Sequence, residues 1–118
     1  MRKVLAVVTV AVFAVGIYSY LRDRESLKIR SEMLRLANDL ELTPPQLNRV
    51  RGMVESMHNS VFARALDLSR ERGRKFDAKL YQEEMFARMI ERAKVEDADL
   101  AERLSTQQKH HELVVSEN

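Results

Sequence analysis

The chain has 118 residues, enough for one domain, with 45% hydrophobic and 32% charged residues, no cysteine and a formal charge of +2. The missing cysteine excludes disulfide staples, thiol chemistry and any thiolate metal site. The excess charge is Arg2 and Lys3 alone, because residues 22–118 carry 18 basic and 18 acidic side chains, so net basicity gives no reason to expect a nucleic-acid partner.

Arg2-Lys3 is followed by Val4 to Leu21, eighteen residues without a charge. As a helix this run is about 27 Å long, close to the hydrocarbon thickness of a bilayer. Residues 1–21 therefore read as a signal anchor or transmembrane helix, with Tyr18 and Tyr20 at the level of an aromatic belt. The positive N-terminus stays cytoplasmic, which makes the chain a single-pass membrane protein with residues 22–118 outside the cytoplasm. Ala14-Val15-Gly16 offers the alternative of a cleaved signal peptide and a soluble exported product. A buried core helix is the remaining reading, but too little apolar sequence exists elsewhere to surround it.

The rest of the chain carries helix period throughout and no strand alternation or hairpin turn, so the fold class is all-α. Ile29, Met33, Leu36 and Leu40 form one apolar stripe. Leu47, Val50, Val54, Met57, Val61, Ala65 and Leu68 form a second, and Phe86, Ile90, Ala93, Leu100 and Leu104 a third, which Asp97 interrupts. Pro44-Pro45 ends the first of these helices near Leu40, and Gly73 supplies a C-terminal stop for the second. Asp77 caps the third, with Phe76 and Tyr81 as its hydrophobic staple. These breaks define a long-helix hairpin of three to four helices. Long stripes with only four Phe and three Tyr give a thin core, which argues for an antiparallel homodimer.

Two stretches share one form: Leu42-Thr43-Pro44-Pro45-Gln46 and Leu104-Ser105-Thr106-Gln107-Gln108. Each places a hydroxyl residue three positions before a Gln, the pattern of a capping box. The hydroxyl accepts from the N3 amide while the Gln side chain reaches back to the cap's own N–H. Pro44 suits N1, and Leu42 with Leu47 makes a staple. Lys109 replaces that apolar partner in the second copy, so the cap expected at Ser105, opening a short fourth helix, is the weaker one.

The two motifs flanking a helical segment behind an export signal resemble the periplasmic Spy/CpxP family of LTxxQ-motif proteins, over about residues 30–115. The second motif departs in having Ser105 for Thr, with only ten residues after Gln108. The resemblance implies an inner-membrane anchor with a periplasmic domain over residues 22–118, or a soluble periplasmic protein if the signal is cleaved, and cradle-shaped dimers acting as ATP-independent chaperones in envelope stress. It also implies, as an alternative, a membrane-anchored heavy-metal sensor signalling to an anti-sigma factor or sensor kinase. A structural helical scaffold for a membrane partner is a third reading.

No glycine-rich phosphate loop or nucleophile elbow is present, and Glu83 and Glu84 suit the dipole at a helix start, so no enzyme activity is expected. The one-turn pairs Met53–Met57 and Met85–Met89 suit core or dimer packing. Together with Val61 they also suit a soft surface gripping unfolded or envelope proteins. Arg49, Arg51, Arg64, Arg70, Arg72, Arg74 and Lys75 read either as a solvated face or as the basic rim of that surface; residues 28–79 hold 11 basic against 7 acidic side chains. His58, His110, His111 and Glu112 are the candidate ligands for Zn, Ni, Co or Cu. Adjacent His110 and His111 diverge by about 100° on a helix, and the plainer reading leaves all three histidines at the surface. No other cofactor is implied.

Overall fold

The computed structural model describes residues 23–73 and 75–113, and the proposed anchor over 1–21 lies outside them. Among the described residues every regular element is helical, and no helix is long and apolar enough to cross a membrane. The described part of α1 covers 23–39. It is followed by α2 (Pro44–Glu71), α3 (Ala78–Glu96), α4 (Ala98–Gln107) and a single 3₁₀ turn (Gln108–His110).

Proline sets the first boundary. Pro44 and Pro45 cannot donate to a continuing α1, and Pro44 holds Thr43 extended at φ −67°, ψ 157°. The α2–α3 turn depends on Gly73 at φ +66°, a left-handed conformation that glycine adopts without the penalty a Cβ brings. Its N–H closes the helix end on the Arg70 carbonyl at 2.9 Å. Asp77 then caps α3 by accepting from Lys79 N at 3.0 Å, and the Phe76 and Tyr81 rings lie 6.4 Å apart as the expected staple.

The third break differs from the sequence expectation. The chain turns at Asp97, not at Ser105. Asp97 is extended (φ −156°, ψ 92°) and accepts from Leu100 N at 3.2 Å as the N-cap of α4. Ser105 lies inside α4 and is exposed, so the second capping box is absent. Asp97 prevails because its carboxylate satisfies orphan amides and favours the positive helix end, whereas Ser105 has intact helix on both sides.

Polar ties give the topology. Asn38 meets Arg51 near the α1–α2 turn, and Ser26 meets His58 farther along, so the two helices run antiparallel. Ser69 reaches Asp77 at the α2–α3 turn, Ser60 reaches Arg88, and Arg49 pairs with Glu96 and Asp97 at the far end. That ladder makes α2 and α3 antiparallel too. The turn at Asp97 brings α4 back beside the start of α2, where Gln46 meets Asp99.

One core fills the space between these helices. Ile29, Met33 and Leu36 enter it from α1, Leu40 from the bend that follows, Val50, Val54, Val61 and Ala65 from α2, Phe86 and Ala93 from α3, and Leu100 and Leu104 from α4. Most of the stripe residues that seemed to need a second chain are thus buried within one, with Leu47, Met57, Leu68 and Ile90 partly buried at its edge. Leu27 and Val95 are the exposed large apolar side chains among the described residues. Burial of those residues within one chain weakens the thin-core argument for a homodimer. Each buried Leu, Ile or Met contributes roughly 1.5–3 kcal/mol of gross burial energy against about 1 kcal/mol net for a hydrogen bond. Apolar packing, not the polar ties, therefore holds α1 in place.

Candidate functional site

The first motif forms a complete capping box. Thr43 Oγ1 accepts from Gln46 N at 3.4 Å, and Thr43 N donates to Gln46 Oε1 at 3.1 Å. Leu42 and Leu47 both pack against the core. The other end of the Gln46 amide, Nε2, donates to Asp99 Oδ2 at 2.8 Å, so the start of α2 is tied to the start of α4.

The second motif works differently. Leu104 is fully buried, and Gln107 meets the residue that precedes the first motif. Glu41 N donates to Gln107 Oε1 at 2.6 Å, and Gln107 Nε2 donates to Glu41 O at 2.9 Å. The amide thereby imitates one rung of a β-ladder. Stretches 66 positions apart are joined by this rung. Gln108, which the motif pattern singled out, instead begins the 3₁₀ turn.

Gln82 repeats the device on the C-terminal segment. Its Nε2 donates to His111 O at 2.6 Å, and its Oε1 accepts from Leu113 N at 2.8 Å. His111 is extended (φ −126°, ψ 139°), so its carbonyl and the amide two residues on face the same side, as in a strand. The Leu113 side chain is buried in the core. Sequence reasoning passed over Gln82 and Gln107. Gln82 had a signal, since it stands one turn before Phe86 in the apolar stripe; Gln107 was overlooked beside Gln108.

A polar junction joins the three long helices. His58 of α2 is 3% exposed. Its Nε2 lies 2.7 Å from Ser26 Oγ of α1, and its Nδ1 lies 2.7 Å from the Tyr81 hydroxyl of α3. A neutral imidazole has one donor and one acceptor, and either hydroxyl can complement either nitrogen. Phe62 and Tyr81 flank the ring, with centroids 5.9 and 5.6 Å away. Burial, with the positive charge of Arg30 second, lowers the His58 pKa from its ordinary 6.5, and burial raises that of Tyr81.

His58 is therefore a core residue and not the surface residue of the plainer sequence reading, with both ring nitrogens already engaged. It shares a stripe with Val54, Val61 and Ala65, which was the missed signal. His110 is exposed, while His111 turns its Nδ1 to Gln107 O at 3.0 Å. Glu112 stands beside His111 in open recesses. Among the described residues no group of three His, Asp or Glu is arranged to hold a metal.

Met53, Val61, Met85 and Met89 are buried, and Met57 packs partly buried against them. As a client-gripping surface these residues are corrected: among the described residues the helices close on the stripe, and these side chains belong to the core or pack at its edge. Arg49 is occupied by Glu96 at 3.6 Å, and Arg51 donates to Asn38 at 3.2 Å. Arg64, Arg70, Arg72 and Lys75 are exposed on α2 and the turn after it, while Arg74 lies outside the described residues. Cations at that helix end also suit the dipole.

Compared with protein-family models, curated proteins and solved structures, the chain gives no match in any of the three.

Proposed function

We propose that the chain is a non-enzymatic binding protein of the cell envelope, of the Spy/CpxP type, tethered to the inner membrane through residues 1–21. It binds unfolded or partner proteins reversibly and without ATP. One observation supports this reading: the second stretch lies against the first, with Gln107, at a variable position of the second motif, clamping Glu41 immediately before the first. The two stretches that resemble the LTxxQ family are thus neighbours in the fold. The basic end of the hairpin, Arg64, Arg70, Arg72 and Lys75, draws clients through electrostatic attraction that salt screens.

The test uses the full chain in detergent micelles. It should slow aggregation of an unrelated unfolding protein without ATP, and reversing the charge at Arg64, Arg70, Arg72 and Lys75 should weaken that effect at low salt. Replacing His110, which is exposed, should leave it unchanged. Tight one-to-one binding of zinc, nickel, cobalt or copper, lost on replacing His110 and His111 and accompanied by no anti-aggregation activity, overturns the proposal in favour of the metal sensor.

A further inference from the structure

Among the described residues only Leu27 and Val95 are exposed large apolar side chains, yet a binding protein for unfolded chains needs a place to hold one. The structure supplies such a place with an occupant already in it. Residues 111–113 run over α3 and α1, with His111 extended. They are held by the two Gln82 hydrogen bonds to main chain, by the His111 Nδ1 contact with Gln107 O, and by the buried Leu113 side chain.

Two open recesses border this segment. One, of about 460 Å³, is shared with Lys79, Gln82 and Glu83 of α3. The other, of about 170 Å³, is shared with Glu32, Arg35 and Asp39 of α1. His111 and Glu112 line both recesses, so the segment is the partition between them. With the segment lifted away they become one groove, with an apolar socket for the residue at position 113.

Recognition by Gln82 is directed at backbone. An amide that donates to one carbonyl and accepts from the N–H two residues on reads any extended peptide, whatever its side chains. Its own side chain is buried at 8% exposure beneath the segment, so lifting the segment would open both its amide ends to water. Another extended chain would take the place of that water on the same two groups. The socket adds one preference, a leucine-sized apolar residue at the position of Leu113.

We infer that the groove between α1 and α3 is a docking site for an extended polypeptide segment carrying one such apolar residue, and that the chain's own residues 111–113 occupy it as a displaceable competitor. The inference rests on the binding-protein reading and names its substrate class: unfolded backbone, held by Gln82, in place of a helical or folded partner. Competition between own segment and client makes the site weak until a client is abundant, which suits reversible holding.

The experiment measures binding of a fluorescent peptide with the sequence of residues 108–116 to the full chain in micelles, alongside anti-aggregation activity. Leu113→Ala loosens the internal competitor and should tighten peptide binding about tenfold, and adding Gln82→Ala should remove that gain. A peptide N-methylated at the amide matching Leu113 should bind at least about tenfold more weakly, since it cannot donate to Gln82 Oε1. Changing the peptide residue that matches Glu112 should have no such effect. Circular dichroism melts confirm that each variant is folded, and the N-methyl peptide needs no protein variant at all. Equal binding of methylated and unmethylated peptides, or no response to Leu113→Ala, overturns the inference. Anti-aggregation activity indifferent to both substitutions overturns it while leaving the binding-protein reading intact. Peptide binding as described without any anti-aggregation activity supports the groove and counts against the broader reading.

Discussion

Replacing Tyr81 by Phe removes one oxygen from the middle of the three-helix junction and leaves the packing unchanged. The ring keeps its contacts with His58 at 5.6 Å and Phe76 at 6.4 Å. His58 loses the partner of its Nδ1 at a site 3% exposed, and Ser26 remains on Nε2. An orphaned buried donor or acceptor costs about 1–3 kcal/mol, so the variant should be about 2 kcal/mol less stable. In urea that is a midpoint lower by about 1 M for a domain of this size. Ser26 is only half-buried, so water replaces its hydroxyl and Ser26→Ala should cost clearly less. The decisive measurement is a double-mutant cycle with His58→Phe. Once the imidazole is gone nothing is left unpaired by Tyr81→Phe, and the two costs should fall short of adding by more than about 0.5 kcal/mol. A Tyr81→Phe variant as stable as wild type, or strictly additive costs, would refute the view of this junction as a coupled polar network.

Two further predictions follow from the same structure. Because burial and Arg30 hold the His58 pKa below 6.5, the unfolded chain binds a proton in a range where the folded one does not, so stability should fall as pH drops from 6.5 toward the lowered folded value. Urea melts at pH 7.5 and pH 5.5 should show this slope in wild type and a shallower one in His58→Gln. Thr43→Ala breaks a complete capping box and should cost about 1 kcal/mol, whereas Ser105→Ala, at an exposed position inside α4, should be neutral or slightly stabilising in the same melts.

Local chemistry was legible without a fold. Pro44-Pro45, Gly73, Asp77 and the Thr43–Gln46 box act through neighbours within a few residues, so their consequences could be read along the chain. The stripes were legible for the same reason, since helical period alone decides which side chains share a face. What those faces meet was not. Whether Met85 and Met89 bury within one chain or line an open surface depends on where α2 and α4 lie, and the answer is core. The break at Asp97 in place of Ser105 follows from competition between two caps, settled by α4 folding back to bury Leu100 and Leu104. His58 looked like a surface ligand until Ser26 and Tyr81, 32 and 23 positions away, supplied its partners. The clamps of Gln107 on Glu41 and Gln82 on residues 111–113 lie furthest beyond sequence reasoning. Such an amide names its backbone partner only when tertiary packing brings an extended segment to it, and nothing in the order of residues records that meeting.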